Sequence, residues 1–221
     1  MTCIVAIIDG KCVVMGSDSG SSLEGDDLIR KRAGVSKVWK VHIPVILKKQ
    51  NYFKNKKNNK SRFRKQDKKV VGGENLIVGF CGTFGEGLFI RHGFQWPLIE
   101  QGQTVENWLV KNVQPSLNKS LKQRFGEHEE FDWSLLIGVK PGRVFALLPC
   151  GDVEESVENY SSIGSGSVAA LSTLKTMDYM QENNKWNTSN MYSWEKADAA
   201  LRVAACLHTS VQSPFHCDVL I

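Results

Sequence analysis

The sequence is poor in several things, and each shortage excludes a class of protein. No apolar run approaches the roughly 20 residues of a membrane-spanning helix; Leu76-Ile-Val-Gly-Phe80 is typical of its longest. The start has no basic segment followed by a long apolar stretch, since Asp9 interrupts the apolar run from Thr2 to Ile8, so no secretory signal is read there. A soluble cytoplasmic protein with no membrane partner is expected. The six cysteines (Cys3, Cys12, Cys81, Cys150, Cys206, Cys217) include no C-x-x-C pair, and reduced, mostly buried thiols are expected. Cys206-Leu-His208 and His216-Cys217 lack the ligand spacing of a zinc knuckle, so packing is expected there, with no metal and no cofactor. There is no H-E-x-x-H and no Gly-x-Ser-x-Gly elbow, and Gly164-Ser-Gly166 is not followed by the Gly-Lys-Ser/Thr of a phosphate loop. These absences remove the commoner metalloprotease, serine hydrolase and nucleotide-binding readings.

What is present fits one globular domain over residues 1–221. The chain is 42% hydrophobic and 23% charged, which excludes wholesale disorder and allows one sizeable core. The charge is unevenly placed. Residues 48–69 hold 11 of the 28 Lys and Arg residues but only one of the 23 acids, Asp67. The rest of the chain therefore carries 17 bases against 22 acids. The basic character belongs to this insertion, which also has four Asn and few apolar residues and cannot fold by itself. Two readings stand: a solvated loop, or a contact for an acidic partner or nucleic acid, with Tyr52, Phe53 and Phe63 available for stacking.

Thr2–Ile8 and Lys11–Ser17 are β-rich runs joined by Asp9-Gly10, a hairpin signature. Strands are predicted at 35–47 and 75–81, with the basic insertion between them. Helices are predicted at 86–96 and 105–121, with Pro115 kinking or splitting the second. Strands follow at 132–139, 143–148 and 160–163, helices at 167–179 and 195–208, and a last strand at 215–221. Strands and helices come in segregated blocks, which argues for α+β layers rather than a parallel βαβ sheet.

The chemistry is read at the N-terminus. Initiator methionine is normally removed ahead of a small residue such as threonine, leaving Thr2 with a hydroxyl nucleophile and a free α-amine. The hydroxyl needs a base. An α-amine with a reference pKa of about 8 supplies one. A nearby lysine would lower the amine pKa and stabilise charge on oxygen, and a carboxylate would hold the lysine. Asp18 ends the second predicted strand and Lys37 lies on the third. Lys31 and Lys40 are alternatives, but alternation along the strand favours Lys37. Cys3 could act only if two residues were removed, and Thr2 is an ordinary strand residue if Met1 stays.

The run Thr2-Cys-Ile-Val-Ala-Ile-Ile-Asp-Gly-Lys-Cys-Val-Val-Met-Gly-Ser-Asp18 resembles the start of proteasome β-subunits and of HslV, N-terminal-nucleophile (Ntn) threonine hydrolases. Val35-Ser-Lys37-Val, Ile77-Val-Gly79-Phe-Cys-Gly82 and Ile163-Gly-Ser-Gly166 continue the resemblance in order. It implies a four-layer αββα sandwich and a threonine peptidase in which Thr2 is the nucleophile, Lys37 tunes it and Asp18 orients Lys37. It further implies that the Gly79 N–H donates to the oxyanion and Ser165 lies beside the Thr2 amine. Val35, Ile77 and Cys81 would line the pocket for the residue before the scissile bond. Peptide or unfolded-protein substrates, a homo-oligomeric ring and an ATPase unfoldase partner are also implied. Leu207-His208-Thr-Ser-Val211 matches the stretch where proteasome β-subunits carry an aspartate and a later serine. His208 stands for the aspartate, which HslV also lacks. The alternatives are a non-catalytic assembly or binding subunit and a stand-alone amidohydrolase of the same fold.

Overall fold

The computed structural model describes residues 2–21, 30–31, 36–47, 69–126, 131–183 and 191–221. Val35 and the insertion up to residue 68 lie outside them. The chain opens as the expected hairpin, β1 (Cys3–Asp9) and β2 (Cys12–Ser17). Asp9 pairs with Cys12 and Ile4 with Ser17. Gly10 turns the corner at φ +59°, a left-handed conformation that glycine adopts without cost.

Two short strands follow, β3 (Gly20–Ser21) and β4 (Arg30–Lys31), and then two long ones, β5 (Val38–Leu47) and β6 (Lys69–Cys81). After α1 (Phe84–His92) and β7 (Ile99–Glu100) comes a helical stretch in three parts. These are α2 (Val105–Trp108), a π-helical turn (Leu109–Val113) and α3 (Gln114–Phe125). Strands β8 (Ser134–Val139), β9 (Arg143–Leu147), β10 (Val153–Glu155) and β11 (Tyr160–Gly164) lead to α4 (Ser167–Glu182), α5 (Ser193–Leu207) and β12 (His216–Leu220).

Two predicted helices are corrected. The first ends at His92, because Gly93 follows and Pro97 lies just beyond, leaving no helical segment before Trp96. The second is neither broken nor stopped at 121. Gln114 donates its N–H five residues back to Leu109. This wider turn comes directly before Pro115, which has no N–H to give a carbonyl four residues earlier.

The strands form a four-stranded sheet, β11-β1-β2-β12, and a six-stranded sheet, β10-β9-β8-β6-β5-β7. Every pairing within them is antiparallel except β5 with β7. Side chains alternate between the faces of each sheet. Ile4, Ala6, Val13 and Met15 of the small sheet meet Ile77, Leu136 and Val144 of the large one in a dry layer between them. On the other face of β1, Cys3 and Val5 pack on Ala170, Leu174, Ala200 and Leu201 of α4 and α5. On the other face of the large sheet, Val78, Phe80 and Ile137 pack on Ile90, Trp108, Leu117 and Leu121 of the earlier helices. Each such aliphatic side chain contributes about 1.5–3 kcal/mol by leaving water. The architecture is α+β, two sheets and their helices arranged as a sandwich. Among the described residues, no helix is long and apolar enough to cross a membrane.

Candidate active site

The site forms where β1 begins and β2 ends. Antiparallel pairing brings residue 18 back beside residue 3. The Asp18 N–H donates to the Cys3 carbonyl at 3.2 Å, and the Cys3 N–H donates to Asp18 Oδ1 at 2.9 Å. The other carboxylate oxygen, Oδ2, accepts the Gly20 N–H at 2.9 Å. Asp18 has no exposed side-chain surface, and a buried carboxylate without partners would be prohibitively costly. Here two backbone donors and one cation satisfy it.

The cation is Lys37. Its Nζ lies 2.9 Å from Asp18 Oδ1 and donates to Thr2 Oγ1 at 2.6 Å. Its own backbone is pinned to the large sheet, because its carbonyl accepts the Phe80 N–H at 3.1 Å. Lys37 therefore bridges the two sheets at the mouth of the sandwich, with a threonine hydroxyl on one side and a carboxylate on the other. Thr2 itself is only 3% exposed. Lys40, the rival cation two positions beyond Val38, pairs instead with Asp218 at 2.7 Å on an exposed rim.

The far wall is the turn from β11 into α4. Gly164 has φ +94°, and a Cβ there would run into the Thr2 carbonyl, so the close approach requires glycine. The Gly166 N–H and Ser165 Oγ both donate to that carbonyl at 3.4 Å. Ser165 Oγ also lies 3.4 Å from Ser210 Oγ. Through this contact the buried Ser210 is the member of the 207–211 stretch whose side chain hydrogen-bonds at the site. His208 instead closes α5, its N–H donating to Ala204 at 2.9 Å.

The structure brings Thr2, Asp18, Lys37 and Ser165 together and leaves two other expected residues apart. Ile77 is fully buried in the layer between the sheets and offers no surface to a ligand. Gly79 lies opposite Val38. Since the next residue, Phe80, donates to Lys37, strand alternation turns the Gly79 N–H the other way, toward Leu136 of β8. Gly82 follows the last residue of β6, two positions beyond Phe80, so the alternation carried one step past Cys81 directs its N–H to the Lys37 side. Cys81 stands between them near the site: a Cβ on Gly164 would lie 3.1 Å from its sulfur. Burial raises the Cys81 thiol pKa, with the Lys37 charge pulling it down. Cys3 points away toward α4 and α5, and burial pushes its thiol up to about 12, which removes it as a rival nucleophile. Val35 lies outside the described residues.

The fold thus sets two facing sheets together with a threonine hydroxyl, a lysine and an aspartate at their mouth. No family model matches the chain, and no curated relative does. Solved structures match it along nearly its whole length. BPH from Thiobacillus denitrificans has 17% identity and a TM-score of 0.66, with 99% of this chain and 97% of that one covered. Eukaryotic HslV from Trypanosoma brucei has 15% identity and a TM-score of 0.59, with 99% of each chain covered. Anbu, an ancestral β-subunit, from Yersinia bercovieri has 14% identity and a TM-score of 0.60, with 99% and 81% covered. At these identities the shared property is the fold, which is the one found in HslV and proteasome-like chains.

Proposed function

We propose that this protein is a threonine-type endopeptidase built as an αββα Ntn hydrolase, with Thr2 as its nucleophile once Met1 is removed. The observation that carries this reading is the Lys37 ammonium 2.6 Å from Thr2 Oγ1 and 2.9 Å from the buried Asp18 carboxylate. Few structural roles for a lysine require a hydroxyl at that distance and a fully enclosed counter-ion.

In this mechanism the freed α-amine of Thr2 takes the proton from Oγ1 as the oxygen attacks the scissile carbonyl carbon. Lys37 stabilises the negative charge that gathers on Oγ1 and keeps the amine unprotonated by its own charge. Asp18 holds Lys37 in place. The tetrahedral oxyanion needs a backbone donor, and the orientation of β6 supports Gly82 over Gly79 for that role. Loss of one such donor typically costs about 100- to 1,000-fold in rate. Collapse passes the proton to the leaving amine and leaves an ester on Thr2 Oγ. Water, deprotonated by the same amine, then releases the acid product. Ser165, backed by Ser210, and the Gly166 N–H steady the Thr2 carbonyl.

Peptides or unfolded chains are the proposed substrates, and a homo-oligomeric ring with an ATPase unfoldase is the proposed setting. The coverage of HslV and the Anbu β-subunit supports this by analogy of fold. The basic insertion is proposed as a contact for an acidic partner or nucleic acid.

Intact-mass analysis and the Thr2→Ala variant test the chemistry. The expected results are loss of Met1 and loss of fluorogenic-peptide turnover without loss of fold. BPH is also solved in complex with epoxomicin, so Thr2-dependent capture of epoxomicin is a second readout. A retained Met1, or undiminished turnover by Thr2→Ala, overturns the reading.

A further inference from the structure

The large sheet has a step in it. Strand β6 is 13 residues long, but β8 pairs only with its Leu76–Cys81 part. From Lys69 to Asn75, β6 is paired on one side alone, with β5. The β5 side of this stretch is anchored, since Ile43 and Ile46 are buried and β7 pairs with Val45 and Ile46. The result is a strand held in extended form with one edge open.

That edge presents backbone groups. Phe80 donates its N–H toward β5, to the Lys37 carbonyl, and the pairing with β5 is regular from Gly79 back to Gly72. By alternation Gly73, like Gly79, turns its N–H and carbonyl away from β5, but no β8 residue pairs with it. Its β5 partner is Pro44, which has no N–H to offer in any case. Among the described residues no backbone hydrogen bond reaches Gly73 from the open side. Val70 and Val71 next to it are 59% and 42% exposed. Gly72 has open space where a Cβ would stand and no positive φ, so nothing inside the fold requires glycine there. Glycine weakens a strand and often marks a place where another backbone comes close.

A bare strand edge invites pairing unless something covers it. On β12, at the edge of the small sheet, the Val219 N–H is taken by Asp218 Oδ1 at 2.8 Å. Among the described residues no side chain covers Gly73 in that way. What stands next to it is charge: residues 48–68 join Leu47 to Lys69, which face each other across the hairpin, and hold ten Lys and Arg against one acid. Such charge repels a second copy of the same segment and attracts an acidic chain. We propose that the open edge of β6 takes up an extended acidic segment of a partner protein by strand addition, with that segment's backbone bonding Gly73. This rests on the reading of the insertion as a contact for acidic groups. It selects protein over nucleic acid because a peptide backbone matches a strand edge and a sugar–phosphate chain does not.

Three labelled, end-blocked peptides of seven residues serve as probes, alternating Glu with Val, Glu with Pro, or Lys with Val. Binding to the full chain is read by fluorescence anisotropy. The Glu-Val peptide is expected to bind at least about 10-fold more tightly than the Glu-Pro peptide, which carries the same charge but cannot pair as a strand. The Lys-Val peptide should bind more weakly still. Backbone hydrogen exchange over residues 70–75 should slow with the Glu-Val peptide and not with the Glu-Pro peptide. Gly73→Pro removes the outward N–H and should weaken Glu-Val binding by about 10-fold. Circular dichroism checks the fold of that variant, and the comparison of peptides on the parent chain does not depend on it. Replacing residues 48–68 with an Asn-Gly turn should abolish the preference for Glu-Val over Lys-Val. Equal binding of the Glu-Val and Glu-Pro peptides, or unchanged exchange over 70–75, overturns strand addition and sinks only this inference. A Glu-Val preference that survives loss of the insertion overturns its reading as an acidic contact as well. Tighter binding of a single-stranded oligonucleotide, undisturbed by Gly73→Pro, overturns the choice of a protein partner.

Discussion

Two pairs of opposite charges in this protein differ in geometry and in meaning, and the two differences run in opposite directions. Arg143 and Glu155 form a bidentate fork on the edge of the large sheet, at 2.5 and 2.6 Å. Lys37 and Asp18 meet through a single contact at 2.9 Å. Distance alone would rank the surface fork higher. Burial reverses the order: the fork's side chains are 37% and 41% exposed, whereas those of Lys37 and Asp18 are 14% and 0% exposed. Water already solvates the first pair, so its formation gains little. The second pair is held by backbone donors in a place where each charge depends on the other. The tighter geometry marks a solvated edge, and the looser one marks the proposed chemistry.

Breaking the buried pair should give the largest effect. Lys37→Met is expected to lower peptidase turnover by several orders of magnitude and to destabilise the fold by about 3–5 kcal/mol, because Asp18 is left charged and buried. Adding Asp18→Asn should recover much of that stability and none of the turnover, as read by urea denaturation alongside a peptide assay. If the single variant keeps both, the bridge to Thr2 has no functional weight. Next in size is Gly164→Ala. The new methyl group must displace the Thr2 carbonyl at a positive φ, so stability should fall by about 2 kcal/mol or more and turnover should fall with it.

Glu155→Gln should cost less than about 1 kcal/mol. The hydrogen bond from Arg143, and then its charge, hold the Glu155 carboxyl below its usual range. A lowered folded pKa means that the stabilisation is present above the unfolded value of about 4.3. It is lost as pH falls through the folded value. The stability difference between parent and Glu155→Gln should therefore shrink to nothing on acidification below pH 4. A difference that grows in acid would contradict the sign. The smallest effect is expected from replacing residues 48–68 with an Asn-Gly turn between Leu47 and Lys69, which face each other across β5 and β6. Loop length alters closure entropy only slowly, so the melting temperature and Thr2-dependent turnover should hardly change, while retention on heparin at low salt should drop. Unchanged retention would leave the insertion as a solvated loop.

The site was readable wherever it depends on local chain direction. The Asp9-Gly10 turn places residue 18 beside residue 3 through pairing alone, so Asp18 could be named beside Thr2. The alternation that preferred Lys37 over Lys40 agrees with Lys40 pairing with Asp218. Choices between two faces or two edges of a strand were less legible. Ile77, Gly79 and Cys81 share one face of β6, and only the second sheet determines that Ile77 is sealed in while Cys81 reaches the opening. The direction of the Gly79 N–H depends on which neighbour β6 pairs with at that residue, and that neighbour is 57 positions away in Leu136. Ser210 meets Ser165 across 45 residues, through a turn after α5 that carries no periodic signal. The π turn before Pro115 was hidden because the apolar spacing of a helix survives one widened turn.

The enclosure of Thr2 also sets a schedule. The groups around Thr2 are made at different times: Asp18 and Lys37 early, the Gly164–Gly166 turn more than 160 residues after Thr2, and Ser210, which backs Ser165, later still. Ribosomes add about 5–20 residues per second, so residue 2 is made on the order of 10 s before the Gly164–Gly166 turn. In the proposed mechanism, the aminopeptidase that frees Thr2 has that interval to work in. A chain that closed first would offer it a terminus in which Thr2 is 3% exposed. If Thr2 is the nucleophile proposed above, the sequence distance to its cover acts as a clock, with processing favoured while the chain is still unfinished.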